Sequence, residues 1–484
     1  MVGRVKRQLS PIQEGMYFSE QLFGERINLV AGHCFLQWSV EIEKFEASRQ
    51  NIGRRHSIFK TEFQLEDDGR PVQTLRPFSL NEIDILDLSA VRDSEEAALE
   101  WIKGEFLQTI KFNATELFFD QLIKLSPDKY IYCVRAHHLI VDAWSLFLWI
   151  GEVCDCYFDV GVTETTSVGS EVPSYFSHLD SYQVYLDSDR YVRDRRYWLH
   201  KYEAESVPCF LPKYRVHDEA VFGTESIFIS ADIVSNINKL GEILETGTLS
   251  VLLGVICSYF CSVYSRDRLE IAIPVHNRST QMDKKIIGPL SNQIVSRFDV
   301  DGNASLADVI NTVRKNLSQD FRHKKYPYLH LARELGVGAG GKTHVADIVF
   351  NYERFQSYRC PNGATLRTYN LGQFSYTPIH FAYCEFDADE GAWLNLDYRK
   401  EFISSPEAIS ILQGIVGLLR EIADNIETPV SRLPLLSAEE EHCLLVEWND
   451  TRQSIRRTGV CMSCLRIRLP CRRPRLRLIV MGKS

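Results

Sequence analysis

The stretch YIYCVRAHHLIVDAWSLFLWI (130–150) changes its period in the middle. Residues 130–136 are β-branched and aromatic and suit a strand. After Asp142 the apolar residues fall at Leu146, Trp149, Ile150, Val153 and Tyr157, the stripe of an amphipathic helix. His137 and His138 therefore stand just past a strand end, and Asp142 near a helix start. A strand that feeds a helix through a polar junction belongs to a layered α/β fold, and rigid element ends are where functional side chains are commonly held.

The same mixture recurs along the chain. PIQEGMYFSEQLF has apolar residues at helical spacing (Ile12, Met16, Phe23). Helices are expected over 232–243, 249–263, 305–321 and 406–425, and strands over 269–275, 345–353 and 392–400. Residues 160–180 are polar and turn-rich and read as a connector. At 484 residues the chain exceeds one ordinary core. The expected division is a lobe over 1–165, a second over 175–430, a linker over 431–452 and a basic tail over 453–484. The most apolar run, LSVLLGVICSYFCSVY (249–264), is too short and too interrupted to span a bilayer and reads as a core helix.

Net charge is −9, but residues 456–484 hold nine Arg or Lys and no acid. The remainder carries 46 basic against 64 acidic residues, which excludes a general nucleic-acid binder. The N-terminus has no apolar signal region, and the 13 cysteines form no framework, so a cytoplasmic protein with reduced thiols is expected. Cys461, Cys464 and Cys471 lack a fourth ligand pattern, so no metal site is expected.

An Asp at a helix start is commonly an N-cap. HHxxxD alone is a poor zinc pattern. A Ser-His-Asp hydrolase would bring G-x-S-x-G, which the chain lacks.

The longer pattern H-H-x-x-x-D-x-x-S resembles the active-site motif of nonribosomal peptide synthetase condensation domains, in the chloramphenicol-acetyltransferase-like superfamily. Other segments resemble further motifs of that family, in family order: LSPIQEGMYF (9–18), RHSIFKTEF (55–63), YWLHKY (197–202), RDRLEIAIPVHNRS (266–279), IGPLSNQIVSR (287–297), YPYLHLARELG (326–336) and THVADIVFNYERF (343–355). Phe59, Lys60, Ala143 and Ala272 depart from the usual residues. Ala143 replaces a Gly, adding a methyl where backbone and substrate arm come close.

The resemblance implies an α/β (α+β sandwich) fold, two acetyltransferase-like lobes in a V-shaped pseudo-dimer with a tunnel between them. It implies an acyltransferase that joins a carrier-bound acyl or peptidyl donor to a carrier-bound aminoacyl acceptor. No tightly bound cofactor is expected, since both substrates arrive on the 4'-phosphopantetheine arms of carrier proteins. His138 is expected to orient the amine and take its proton. His137 is expected to hold the scaffold, Asp142 to pair with Arg278, and Ser145 to cap the helix rather than meet an oxyanion. Asn292 and Arg297 are expected in lobe contacts.

The chain opens a few residues before the first motif, so a donor delivered in trans is expected, and a monomer. LPLLSAEEEHCLLVEWNDT (433–451) resembles the junction to an adenylation domain, which favours a condensing over an epimerising subtype. His137 argues against the cyclising subtype, which has Asp there. Two alternatives remain: a non-catalytic recruitment domain, and a coenzyme A-dependent acyltransferase, although the plant-type D-F-G-W-G motif is absent.

Overall fold

The computed structural model describes residues 6–24, 28–159, 172–203, 221–337, 344–354, 358–360, 362, 365–366, 368–370, 377–385, 390–435, 442–447 and 449. Residues 1–435 form one compact unit, and residues 436–484 a second, of which a single helical turn, Cys443–Glu447, is described. The basic tail and its cysteines lie outside the described residues.

Two sheets organise the first unit. One has five strands in the order Thr368–Asn370, Leu29–Leu36, Lys129–His137, Phe118–Ser126, Asp84–Asp87. The other has six: Asn292–Asp299, Arg268–Val275, Ile348–Arg354, Ile379–Glu385, Ala392–Arg399, Phe222–Ile229. Its central pair, Ile348–Arg354 and Ile379–Glu385, is parallel, as mixed sheets permit. A three-stranded sheet, Lys6–Gln8, Pro71–Leu75 and Thr61–Leu65, flanks the first.

The expected helices and strands are present. The apolar run near 250 is the helix Thr248–Val263, buried from Ser250 to Cys261. It packs with Ala231–Ile243, Leu306–Asp320 and Ser405–Arg420 against one face of the six-stranded sheet. Among the described residues no single helix is long and apolar enough to cross a membrane. The pair Ala231–Ile243 and Thr248–Val263 reaches that length together but is bent by 102° at its break.

Two expectations need correction. The connector at 160–180 already contains a helix, Tyr175–Leu186, capped by the hydroxyl of Ser174. Ser174 serves as its cap, and Tyr175, Phe176, Tyr182 and Tyr185 form its buried face. The cut between 165 and 175 also fails to divide the core. Tyr175, Ile286, Ile287 and Leu290 pack into the core built on the five-stranded sheet, and Thr368–Asn370 pairs antiparallel with Leu29–Leu36 as that sheet's edge. Such a crossing joins residues more than 300 positions apart, which no local pattern displays.

Close packing of Thr248–Val263 on Leu306–Asp320 depends on Gly254. A Cβ there would sit 2.5 Å from Ile310 Cγ1 and 3.2 Å from its Cα. Gly254→Val is expected to cost about 1–3 kcal/mol by overpacking. Urea denaturation should show a lower midpoint at unchanged slope.

Candidate active site

The strand Lys129–His137 delivers the two histidines, and Asp142 opens the helix Ala143–Tyr157. The intervening loop is held from the first helix, Pro11–Phe23. That helix starts with a capping box: Gln13 N–H donates to Ser10 Oγ, and Ser10 N–H to Gln13 Oε1, with Pro11 in the first turn. Gln13 Nε2 also donates to the Leu139 carbonyl at 3.0 Å. Seven residues on, along the same helix face, Glu20 reaches His137.

His137 is fully buried. Its Nδ1 accepts from Leu139 N–H at 3.0 Å, which fixes the proton on Nε2, where it meets Glu20 Oε2 at 2.8 Å. Burial pushes the Glu20 carboxyl up. The bonds from His137, Asn28 and the Phe112 N–H outweigh that and hold it below its ordinary value. Asn28 donates to Glu20, and its carbonyl accepts from His138 N–H at 2.7 Å. Both ring nitrogens of His137 are thereby committed to the scaffold.

His138 differs. The residue is half-buried, and its ring Nδ1 is sealed and makes no hydrogen bond of normal geometry. Its pKa lies below the ordinary 6.5: burial is the main cause, opposed by the Asp142 charge and by the backbone of His138 and Val141. The ring is a neutral imidazole at neutral pH.

Asp142 is the helix N-cap and accepts from Ser145 N–H at 2.9 Å. Its carboxylate is 1% exposed and makes seven contacts of hydrogen-bond length, to Ser145, Arg278, Leu290 and Ser291. Arg278 approaches with two nitrogens, at 2.7 and 3.0 Å. Burial raises the Asp142 carboxyl, but Arg278 and Ser145 lower it far more, and it stays ionised well below the usual carboxylate range. The same two nitrogens also reach Ser145 Oγ and the carbonyls of His276, Ile286 and Gly288. This pair ties the histidine loop to the segment 278–291.

Ser145 is corrected. The cap is Asp142, and Ser145 occupies the third helical position. Its hydroxyl is fully buried between Asp142 and Gly288, whose N–H it accepts at 3.0 Å. Asn292 and Arg297 make their contacts inside the second half. Asn292 holds the backbone of Lys324, Tyr326 and Tyr328, and Arg297 pairs with Glu270 on the neighbouring strand. Gln13, Glu20 and Asn28 were not singled out from the sequence. For Gln13 and Glu20 the signal lay in LSPIQEGMYF continued by helical periodicity to Glu20. Among the described residues no group of three His, Cys, Asp or Glu side chains is placed to hold a metal ion.

A family model described as "Condensation domain" matches residues 5–445, and the chain belongs to that family, the condensation domains of nonribosomal peptide synthetases. Tyrocidine synthase 3 of Brevibacillus parabrevis is 23% identical over 467 residues, covering 91% of this chain and 7% of that protein. The dimodular nonribosomal peptide synthase of Bacillus subtilis (strain 168) is 20% identical over 447 residues, covering 92% and 19%. The chain thus spans less than a fifth of these curated relatives' length. Solved structures share the fold. The first condensation domain of the calcium-dependent antibiotic synthetase superposes with TM-score 0.76 at 16% identity, covering 90% of this chain and 100% of that one. A starter condensation domain of rhizomide synthetase, bound to C8-CoA, gives 0.79 at 19% identity, covering 89% and 98%.

Removing one member of the buried pair strands the other. Arg278→Met is expected to cost about 3–5 kcal/mol in denaturant unfolding. Asp142→Leu combined with it should recover part of that loss, which a double-mutant cycle measures. NMR titration of the His138 ring is expected to give a midpoint below 6.5, because burial disfavours its charged form. Its folded pKa is depressed, so the stability it contributes is present at neutral pH and is lost as pH falls through that midpoint.

Proposed function

We propose that this condensation domain forms an amide bond between two carrier-bound substrates. The donor is an acyl or peptidyl thioester and the acceptor an aminoacyl thioester, each on the 4'-phosphopantetheine arm of a carrier protein. The arms meet in a passage between the two lobes, at His138. The protein works as a monomer in the cytoplasm and needs no tightly bound cofactor.

One observation carries this reading: of two adjacent histidines, one is consumed by the scaffold and the other, in a half-buried residue, keeps a neutral ring. With Nδ1 sealed, Nε2 is the nitrogen a substrate meets. An α-amine has a pKa near 7.7–8, so a useful fraction is already neutral and no strong base is needed. The amine nitrogen attacks the donor carbonyl carbon and the C–N bond forms. His138 Nε2 takes the proton that the nitrogen sheds. The tetrahedral centre collapses, the C–S bond breaks, and the leaving pantetheine thiolate takes that proton back. Both thioesters being tethered, their encounter is close to intramolecular, worth up to several kcal/mol of the barrier.

Asp142 and Arg278 act as positioning residues. Their pair, the Glu20–His137 bond and the Gln13 clasp on Leu139 fix the ring against a loop that would otherwise drift. Ala143 is half-buried at the first helical position, directly after Asp142.

The test loads one carrier with an acyl group and another with an amino acid, adds the protein, and detects condensed product by mass. Product is expected. His138→Ala should lower its rate by about 10²–10⁴-fold, the usual contribution of general acid–base catalysis. Unchanged turnover in that variant would discard the mechanism. No product with any carrier pair would favour a recruiting domain, and product from acyl-coenzyme A and a free amine would favour a coenzyme A-dependent acyltransferase.

A further inference from the structure

Outside its basic tail the chain is strongly acidic, yet the surface beside the helix Ala143–Tyr157 is basic. Trp144, the second residue of that helix, is 36% exposed. Its indole lies against the His276 ring, with centroids 5.4 Å apart, and its Nε1 donates to the Lys284 carbonyl at 3.0 Å. The Arg278 guanidinium lies 5.8 Å from the centre of the same indole while it holds Asp142. Asn292 Nδ2 donates to the Lys324 carbonyl at 2.8 Å. The main chain at Lys284 and Lys324 is thus anchored, and Trp144 joins this surface to the start of the catalytic helix.

The charges converge on one ring. His276 is an exposed residue whose pKa lies below the ordinary 6.5. Its packed surroundings are the main cause, followed by the charges of Lys324 and Arg278; Asp142 opposes them and Lys284 adds to them. Both ammonium groups therefore act on the same imidazole. His276 Nδ1 accepts from Arg278 N–H at 3.1 Å, which leaves the ring proton on Nε2. Lys284 and Lys324 are half-buried, and neither has an ion-pair partner among the described residues. Burial alone lowers the Lys324 pKa, with no carboxylate opposing it. The acid nearest in sequence, Asp283, is turned to the N–H groups of Ser279 and Thr280. Two cations and an N–H donor gathered without a protein anion suit an anionic ligand, and lysine serves phosphate as a point charge.

We infer that Lys284, Lys324 and His276, set on Trp144, bind the phosphate of a substrate's pantetheine arm. The inference rests on the reaction proposed above and adds the group by which the protein grips an arm. Each carrier-bound substrate of that reaction brings a phosphate at the root of its arm, whatever acyl or aminoacyl group it carries. A site for that phosphate reads the arm and not the cargo. Lysine ammonium groups are compact charges on flexible stems, so they follow an arm that approaches from several directions. Held beside the helix that opens at Asp142, the phosphate limits where the thioester end of the arm can reach, which favours encounter at His138. The same phosphate chemistry is offered by a carrier-bound arm and by coenzyme A.

The test measures binding of pantetheine, 4'-phosphopantetheine and coenzyme A to the full chain by calorimetry. 4'-Phosphopantetheine is expected to bind about tenfold more tightly than pantetheine, the worth of one hydrogen bond to a charged group, and the gap should narrow as salt rises. Lys284→Gln combined with Lys324→Gln should erase the gap. The two arginine substitutions should keep most of it, and Lys239→Gln, on the helix Ala231–Ile243, should leave it intact. In turnover the double glutamine variant should raise KM with kcat little changed, because a phosphate contact is the same in ground and transition states. A rise with loaded carriers and not with acyl-coenzyme A assigns the phosphate to a carrier-bound arm, and the reverse assigns it to coenzyme A. Equal binding of pantetheine and 4'-phosphopantetheine, or a gap that survives the double glutamine variant, overturns the phosphate site and leaves the condensation reading standing. A gap that the lysines account for, with no condensed product from any carrier pair, overturns the condensation reading alone.

Discussion

The buried pair of Asp142 and Arg278 is the contact on which the site's geometry depends. One carboxylate serves at once as helix cap, salt-bridge partner and acceptor for two backbone N–H groups of the segment 290–291. Taking these charges out of water costs several kcal/mol per ion, and the pair recovers it only because nearly every lone pair and proton has a partner. That saturation makes the arrangement stiff. A loop hung from a cap, an ion pair and two backbone bonds has little freedom to move the imidazole beside it.

The two histidines show how neighbouring, identical side chains acquire different chemistry. The imidazole of residue 137 is enclosed by Glu20 and the Leu139 amide, and the second is anchored through its main chain while its ring is left uncommitted. The distinction comes from the first helix, over a hundred residues earlier, which supplies Glu20 and Gln13 to the loop. The reactive group is thus defined as much by the donors aimed at its neighbour as by its own surroundings.

Much of this was legible in the sequence. The strand-to-helix switch at 130–150 stands as read, because a period change from 2 to 3.6 is a local signal. The buried stripe from Leu146 to Tyr157 follows the same logic. What escaped was non-local. Asp142 and Ser145 compete for one capping role, and only the three-dimensional surroundings decide it: Asp142 has Arg278 to offset its charge, so it takes the cap and leaves Ser145 inside. The helix at Tyr175–Leu186 was masked by the polar Gly-, Ser-, Thr- and Pro-containing stretch that runs into it. The strand Ile379–Glu385, at the centre of the second sheet, was not among the expected strands.

The short strand Thr368–Asn370 has a consequence for biosynthesis. It lies between the parallel strands Ile348–Arg354 and Ile379–Glu385, yet pairs with Leu29–Leu36 of the other sheet. A ribosome making this chain releases the first sheet long before its last edge is translated. Until then Leu29–Leu36, mostly buried in the finished protein, offers a bare row of amides and carbonyls, the kind of surface that recruits stray strands. Nascent chains would carry that liability through some 230 residues of elongation after His137.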